Sequence, residues 1–432
     1  MIIVGQNIRA HPRRSELIEE VHARPFEPMI APEQGSHIAM IIDGTDEKTI
    51  FAHLSDLCHH HGVKAPEFGS KFYSVDLGPY RIRWEYHSEF CTYTFITNKN
   101  YENPFSNPVI DMVPEDWISE LPGEIIAAVH FAIDPKEENA RNQENLSALF
   151  NGNQIIGALV SGGAAMVWSD LRIHEDGFSR ILIHDQNLSA LQAGRLVQRI
   201  LEINSYRLLA LLSLPLAREE APHIQQMEVA LGEITKRLVN ETSSTDAKGL
   251  LDELSKLASG LEEVGARTSY RFSATQAYFD IVNSRLEEIR QERIQGIQTF
   301  SEFLERRLVP AVNFCFSTEM RLESLAERMS RVGSLLRTRV EVQIEEQNRD
   351  LLTSMNRRAK MQFRLQRLVE GLSIVAVSYY LTGLIKYGLE AISAAGFAIN
   401  VPIVSGISIP IVVIGVATVL YRARQNVENS ND

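Results

Sequence analysis

The sequence has few cysteines, no excess of positive charge and no familiar catalytic loop. Its 3 cysteines, Cys58, Cys91 and Cys315, are far apart and form no C-x-x-C pair. That excludes a disulfide framework and suits a reducing compartment. Acidic residues number 55 against 43 basic ones, for a net charge of −12. With no surplus to neutralise phosphate, nucleic-acid binding is not expected. Walker loop, G-x-G-x-x-G, nucleophile elbow and H-E-x-x-H are all missing. The glycine-rich run 157–163 lacks the Lys-Ser/Thr that a phosphate loop needs, so no enzyme is expected. Met1–Gln6 has neither a charged n-region nor an adequate h-region, and no cleaved signal peptide is expected.

Charge is also missing from Ala391 to Tyr421 and from Leu372 to Ile385. A helix that crosses a bilayer needs about 20 mainly apolar residues. Leu368–Leu389 meets that with only Glu370 and Lys386 near its ends, and Pro402–Tyr421 meets it outright. Gly396, Asn400 and Pro402 break the two segments apart. Arg357, Arg358, Lys360, Arg364 and Arg367 precede the pair, Arg422 and Arg424 follow it, and the connection has no Lys or Arg. The positive-inside rule then puts both flanks at the cytoplasmic headgroups and both termini in the cytoplasm. A buried helical hairpin in a soluble core is the alternative.

The rest of the chain reads as α+β. Residues 1–188 predict a cytoplasmic mixed-sheet α/β domain, with short strands rich in aromatic and β-branched residues between turns and helices. Residues 189–367 predict a long-helix, partly coiled-coil stalk. Within it Ser189–Leu214 is a helix, Pro215 and Pro222 bracket a break, and Tyr270–Leu308 is one uninterrupted helix. Leu322, Leu325, Met329, Val332 and Leu336 are spaced as a coiled-coil seam, which Val340, Ile344, Gln347, Leu351 and Met355 continue more loosely. Residues 311–367 as one helix would be roughly 85 Å long and would need partners, in this chain or in other copies of it. Residues 368–422 are the two-helix transmembrane hairpin and 423–432 a cytoplasmic tail.

Few polar groups point to chemistry. A strand over Tyr80–Phe90 puts Arg81, Arg83, Glu85, His87 and Glu89 on one face, opposite Ile82, Trp84 and Tyr86. Glu85, His87 and Glu89 fit an acid/base or ligand trio, and equally a cross-strand ionic network on a solvated face, which is preferred. His22 and Arg24 before Pro25, and His174 beside Glu175 and Asp176, fit a polar site or turn chemistry. His53 and His60 share a helix face but lie about 10 Å apart, too far to chelate one ion. No metal site is expected there.

Several runs resemble a bacterial family. They are Glu20-Val21-His22-Ala23-Arg24-Pro25, Asp76-Leu77-Gly78-Pro79, Arg83-Trp84-Glu85, Arg172 through Arg180 (R-I-H-E-D-G-F-S-R), Gln192 through Arg199 (Q-A-G-R-L-V-Q-R), Leu336-Arg337-Thr338-Arg339-Val340 and Val369-Glu370-Gly371-Leu372-Ser373. The family is the uncharacterised membrane-anchored proteins of domain of unknown function 3422, and the likeness, which covers nearly the whole chain, implies no activity. The layout is also similar to CorA-type divalent-cation channels, with a cytoplasmic α/β domain, long helices and two C-terminal spans. Those channels carry Gly-Met-Asn after the first span, often preceded by Tyr, where this chain has Tyr387-Gly388-Leu389-Glu390. On that likeness a homo-oligomer would line a pore with Glu390, Tyr387, Gly388, Tyr380 and Thr382, a divalent cation being the one ligand in question. Lys386, one turn before Glu390, pairs with it in the simpler reading. The alternative function is a non-transporting scaffold or sensor whose α/β domain binds a cytoplasmic partner or ligand that the residues do not name.

Overall fold

The computed structural model describes residues 11–15, 17–18, 25–136, 143–240, 247–395, 398 and 400–428, with backbone alone at 143–144 and 423–428. It is α+β, a mixed sheet followed by a long helical region and a C-terminal helix. Two compact units emerge, Met1–Asn240 with Asp252–Val332, and Glu241–Leu251 with Gly333–Asp432.

The first unit is built on a nine-stranded sheet of order β2-β3-β4-β1-β5-β8-β7-β6-β9. The strands are β1 (Glu33–Ile41), β2 (Phe72–Asp76), β3 (Arg81–Tyr86), β4 (Phe90–Thr97), β5 (Glu124–Asp134), β6 (Ile156–Val160), β7 (Ala165–Ser169), β8 (Ser179–Asp185) and β9 (Glu292–Arg293). Only β5 and β8 run parallel; every other pair is antiparallel. In the β2–β3 turn Gly78 takes φ +93°, open to glycine at little cost, and its N–H donates to Asp76 Oδ1 at 2.8 Å.

Alternation along the strands separates two cores. On one face Ile38, Met40, Ile82, Trp84 and Tyr93 pack under α1 (Glu47–His60) and α2 (Glu115–Ser119). Asp46 caps α1 by accepting from Lys48 N, and Ile50, Leu54 and Leu57 recur at helical spacing on its buried side. Further along that face Phe105, Trp168 and Leu182 pack with α3 (Gln143–Leu149). Residues 137–142, just before α3, lie outside the described residues.

The other face is covered by α4 (Ala190–Leu211). A reciprocal cap between Ser189 and Gln192 starts it. Leu196, Val197, Ile200 and Ile203 then bury against Val129, Phe131 and Ile181. Each such side chain contributes on the order of 2 kcal/mol. Next come α5 (Ser213–Asn240), α6 (Ala247–Glu288), α7 (Phe300–Ala394) and α8 (Val401–Glu428). Three of these meet where Ala217, Phe272 and Cys315 pack together, tied by Ser213 Oγ to Thr275 Oγ1 at 2.5 Å.

Two helix expectations are corrected. Tyr270–Leu308 is not one helix. The chain leaves α6 after Glu288, passes through Arg290 and Gly296 at positive φ, and adds β9 to the sheet edge beside β6. The break expected between Pro215 and Pro222 lies earlier, between Leu211 and Ser213. Pro215 occupies the first turn of α5, where its missing N–H costs nothing, and Pro222 sits inside that helix.

The coiled-coil seam divides in the same way. Leu325, Met329, Val332 and Leu336 are buried, while Ile344, Leu351 and Met355 are exposed. In the second unit α7 continues to Ala394 and α8 begins at Val401, with 396, 397 and 399 outside the described residues.

Candidate functional site

One transverse row of the sheet carries the polar centre. Cross-strand register aligns Arg83 of β3 with Thr94 of β4, Thr94 with His37 of β1, and His37 with Val129 of β5. Glu85 and Thr92 form the next row on the same face. α4 lies over both rows, and between them is a cavity of about 40 Å³. Arg83, Glu85, His87 and His37 line it from the sheet, and Gln198, Glu202, Ser205 and Tyr206 from the helix.

The side chains form a linked network. Arg83 Nε donates to Glu85 Oε1 at 2.8 Å and its Nη2 donates to the same oxygen. His87 Nε2 lies 3.5 Å from Glu85 Oε2, its ring stacked on Phe90 at 4.2 Å. His37 Nδ1 meets Thr94 Oγ1 at 2.8 Å and His37 Nε2 meets Ser205 Oγ at 3.2 Å, so one imidazole joins strand to helix. Gln198 Nε2 donates to Glu202 Oε1 at 2.8 Å, and Arg285 Nε donates to Glu202 Oε2. At the β3–β4 turn, buried Glu89 accepts from Arg271 Nη1 at 3.0 Å and from Tyr278 Oη at 2.9 Å.

Burial shapes the charges. Burial alone would raise the Glu85 carboxyl, but contact with His87 and the Arg83 guanidinium outweighs it and holds the group down at about 2. Burial pushes His37 down to about 4, with Glu85 opposing only in part. The imidazole is therefore neutral, one nitrogen donating and one accepting.

The predicted face is real, but it is not solvated. Arg83 is 6% and Glu85 9% exposed. At Arg83 and Glu85 the expected solvated, cross-strand network is instead a pair on a single strand, roofed by a helix that begins about a hundred residues later in the chain, while Arg81 does reach across strands, to Glu33 at 3.5 Å. Glu89 lies in the turn after β3, outside the strand. His22 and Arg24 lie outside the described residues.

His174 belongs elsewhere. Its Nε2 stands 2.9 Å from Asp170 Oδ2, both side chains buried. Nearby, the His130 ring stacks on Phe178 at 3.9 Å and its Nδ1 meets Ser36 Oγ at 2.9 Å, on the sheet face opposite His37. His53 stacks on Trp117 at 4.2 Å and bonds the Trp117 carbonyl through Nε2 at 2.9 Å. Among the described residues no group of three or more His, Cys, Asp or Glu side chains could hold a metal ion.

In the second unit Tyr380, Thr382 and Tyr387 line a groove with Pro402, Ser405 and Gly406, while Gly388 and Glu390 are not part of it. Lys386 Nζ lies 3.8 Å from Glu390, both side chains exposed. Arg357, Arg358, Lys360, Arg364, Arg367 and Arg422 are exposed, and the side chain of Arg424 lies outside the described residues.

His37, Thr94, Ser205 and Glu202 were not singled out from the residues alone. Their one signal was polarity inside apolar periodic segments, a weak one without the pairing that brings them together. The motif runs gain a physical account instead. Gly78 makes the β2–β3 turn, Arg83 and Glu85 form the buried pair, and Gly194 admits the chain at Glu27, whose carbonyl oxygen would stand 1.6 Å from a Cβ there. No curated protein and no solved structure matches the chain. The model of the family described as protein of unknown function (DUF3422) matches residues 9–427, and the chain belongs to that family.

Proposed function

We propose that this chain is a membrane-attached binding protein, held in a bacterial inner membrane by its two C-terminal apolar helices and using its sheet unit to bind a small ligand. One observation carries the membrane part. The apolar windows of α7 and α8 are 6% and 0% buried, and both helices are long and apolar enough to cross a bilayer. A helix apolar on all sides is stable when protein or lipid surrounds it. Leu372, Val375, Leu384, Ile407, Ile411 and Ile414 are all exposed, with no protein layer over them. By contrast, the apolar stretch Ala190–Asn240 is half buried and belongs to the core of the first unit. The basic residues on both flanks support cytoplasmic termini.

The binding part rests on the cavity beneath α4. Ser205 Oγ, 3.2 Å from His37 Nε2, has the spacing of a nucleophile beside a base. Behind His37 stands the Thr94 hydroxyl, which cannot stabilise an imidazolium as a carboxylate does. That favours binding over catalysis. Flotation of the purified protein with lipid vesicles tests the attachment: the full chain should float, and a chain ending at residue 367 should stay at the bottom.

Ion passage is the second reading, favoured by the polar character of the first apolar segment at Ser373, Ser378, Tyr379, Tyr380 and Thr382. It requires several copies, because two helices cannot enclose a pore, and it sets Glu390 at the mouth. The Lys386 contact already accounts for Glu390 without a pore. Divalent-cation flux into proteoliposomes that falls in Glu390→Ala would establish this reading, and a monomer in detergent would remove it.

A further inference from the structure

We infer that the cavity beneath α4 binds a short organic acid, with its carboxylate on Arg83 and its apolar body against the hydrophobic wall. This rests on the binding-protein reading above and names its ligand class.

An inventory of donors and acceptors points to an anionic head. Glu85 spends Oε1 on two N–H groups of Arg83 and has His87 beside Oε2. Glu202 spends one oxygen on Gln198 and the other on Arg285. The carboxylates facing the cavity are thus engaged, and an ammonium ligand would find no open acceptor of that kind. The donors are in surplus. Arg83 is 6% exposed and lines the cavity, yet its Nη1 donates to no group among the described residues. In the Thr94–His37–Ser205 chain a neutral imidazole donates to one hydroxyl and accepts from the other, so the hydroxyl that accepts keeps its own proton to give. The occupant must therefore bring acceptors.

Charge and shape select a carboxylate among acceptors. Glu85 takes the Nε and Nη2 donors of Arg83 through one oxygen, which leaves Nη1 as the charged donor open to a second acceptor. A guanidinium edge fits the two oxygens of a carboxylate, and such charge-assisted bonds are stronger than those to a neutral carbonyl. The remaining wall is apolar, made by Met29, Phe90, Ile96, Val197 and Leu201. A cavity of about 40 Å³ holds only a few heavy atoms, so the body is short.

The test is calorimetry and saturation-transfer NMR on the full chain in detergent, in carboxylate-free buffer. The probes are acetate and propionate, their amides acetamide and propionamide, and methylammonium and ethylammonium. Acetate or propionate should bind saturably, about tenfold or more tighter than the matching amide. The double variant Arg83→Gln/Glu85→Gln, which removes both charges and strands neither, should erase that preference. Leu201→Phe, which fills the cavity, should abolish binding of every probe while circular dichroism stays unchanged. Amides binding as well as acids, with the double variant no different, would overturn the acid assignment yet leave a binding cavity. No saturable binding by any probe would overturn the acid assignment and the binding-protein reading together.

Discussion

Gly194 of α4 presses its backbone against Glu27, so closely that a Cβ would stand 1.6 Å from the Glu27 carbonyl oxygen. The strap at 25–30 is held there by Met29 N donating to the Ala190 carbonyl at 2.9 Å and by the Arg195 guanidinium over the Phe26 ring at 4.5 Å. Met29 in turn lines the cavity. The clash is with backbone, which cannot swing aside as a flexible side chain would. Gly194→Ala should therefore lower stability by about 3 kcal/mol or more, read as a shift in the urea midpoint, and should loosen the strap toward proteolysis near Glu27.

The Arg83–Glu85 pair makes a second prediction. Removing one partner leaves the other charge buried and unpaired, so Glu85→Gln alone should cost about 3–5 kcal/mol. Arg83→Gln/Glu85→Gln together should cost less than Glu85→Gln alone, because no charge is stranded. Equal costs for the single and double variants would mean that the pair is solvated in solution.

Acid should unfold the sheet unit early. His37 and His130 are each pushed from 6.5 down to about 4, first by burial. The folded state therefore binds fewer protons than the unfolded chain between those values. Stability present above pH 6.5 is lost as pH falls toward 4, by about 3 kcal/mol for each histidine. Glu85 adds a later loss between 4.5 and about 2. Urea midpoints at pH 7.5 and 5 should differ accordingly, and His37→Gln should remove part of the difference.

The seam of α7 should split by position. Leu325 is 1% exposed and Leu351 61%. Leu325→Ala should cost about 2–5 kcal/mol through lost burial and a cavity. Leu351→Ala should change the monomer by less than about 0.5 kcal/mol. A large loss at Leu351 would reveal a partner along that stripe, another copy of the chain being the first to look for.

What the residues alone revealed follows the range of each interaction. Arg83 and Glu85 share a face, as the strand pattern over Tyr80–Phe90 predicts, because period two is local. What covers that face was not legible. The ionic look of Arg81, Arg83 and Glu85 suggested solvent, but α4 arrives from Ser189 onward with Ser205 aimed at His37. His37 was not singled out at all, because its partners Thr94 and Ser205 are 57 and 168 residues away. β9 escaped because a two-residue strand has no periodicity. The break around it carries no proline, and its positive-φ residues are an arginine before the strand and a glycine after it. The apolar segments after Leu368 were the easiest to see, since composition alone marks them.

The account depends most on lipid surrounding those segments. Spin labels at Val375 and Ile409, in full-length protein reconstituted into vesicles, report it directly. Collisions with dissolved oxygen should be frequent and collisions with a water-soluble nickel chelate rare at both positions, with the reverse at a control label on Leu351. Free access of the nickel chelate to Val375 and Ile409 would place both helices in water and contradict the account.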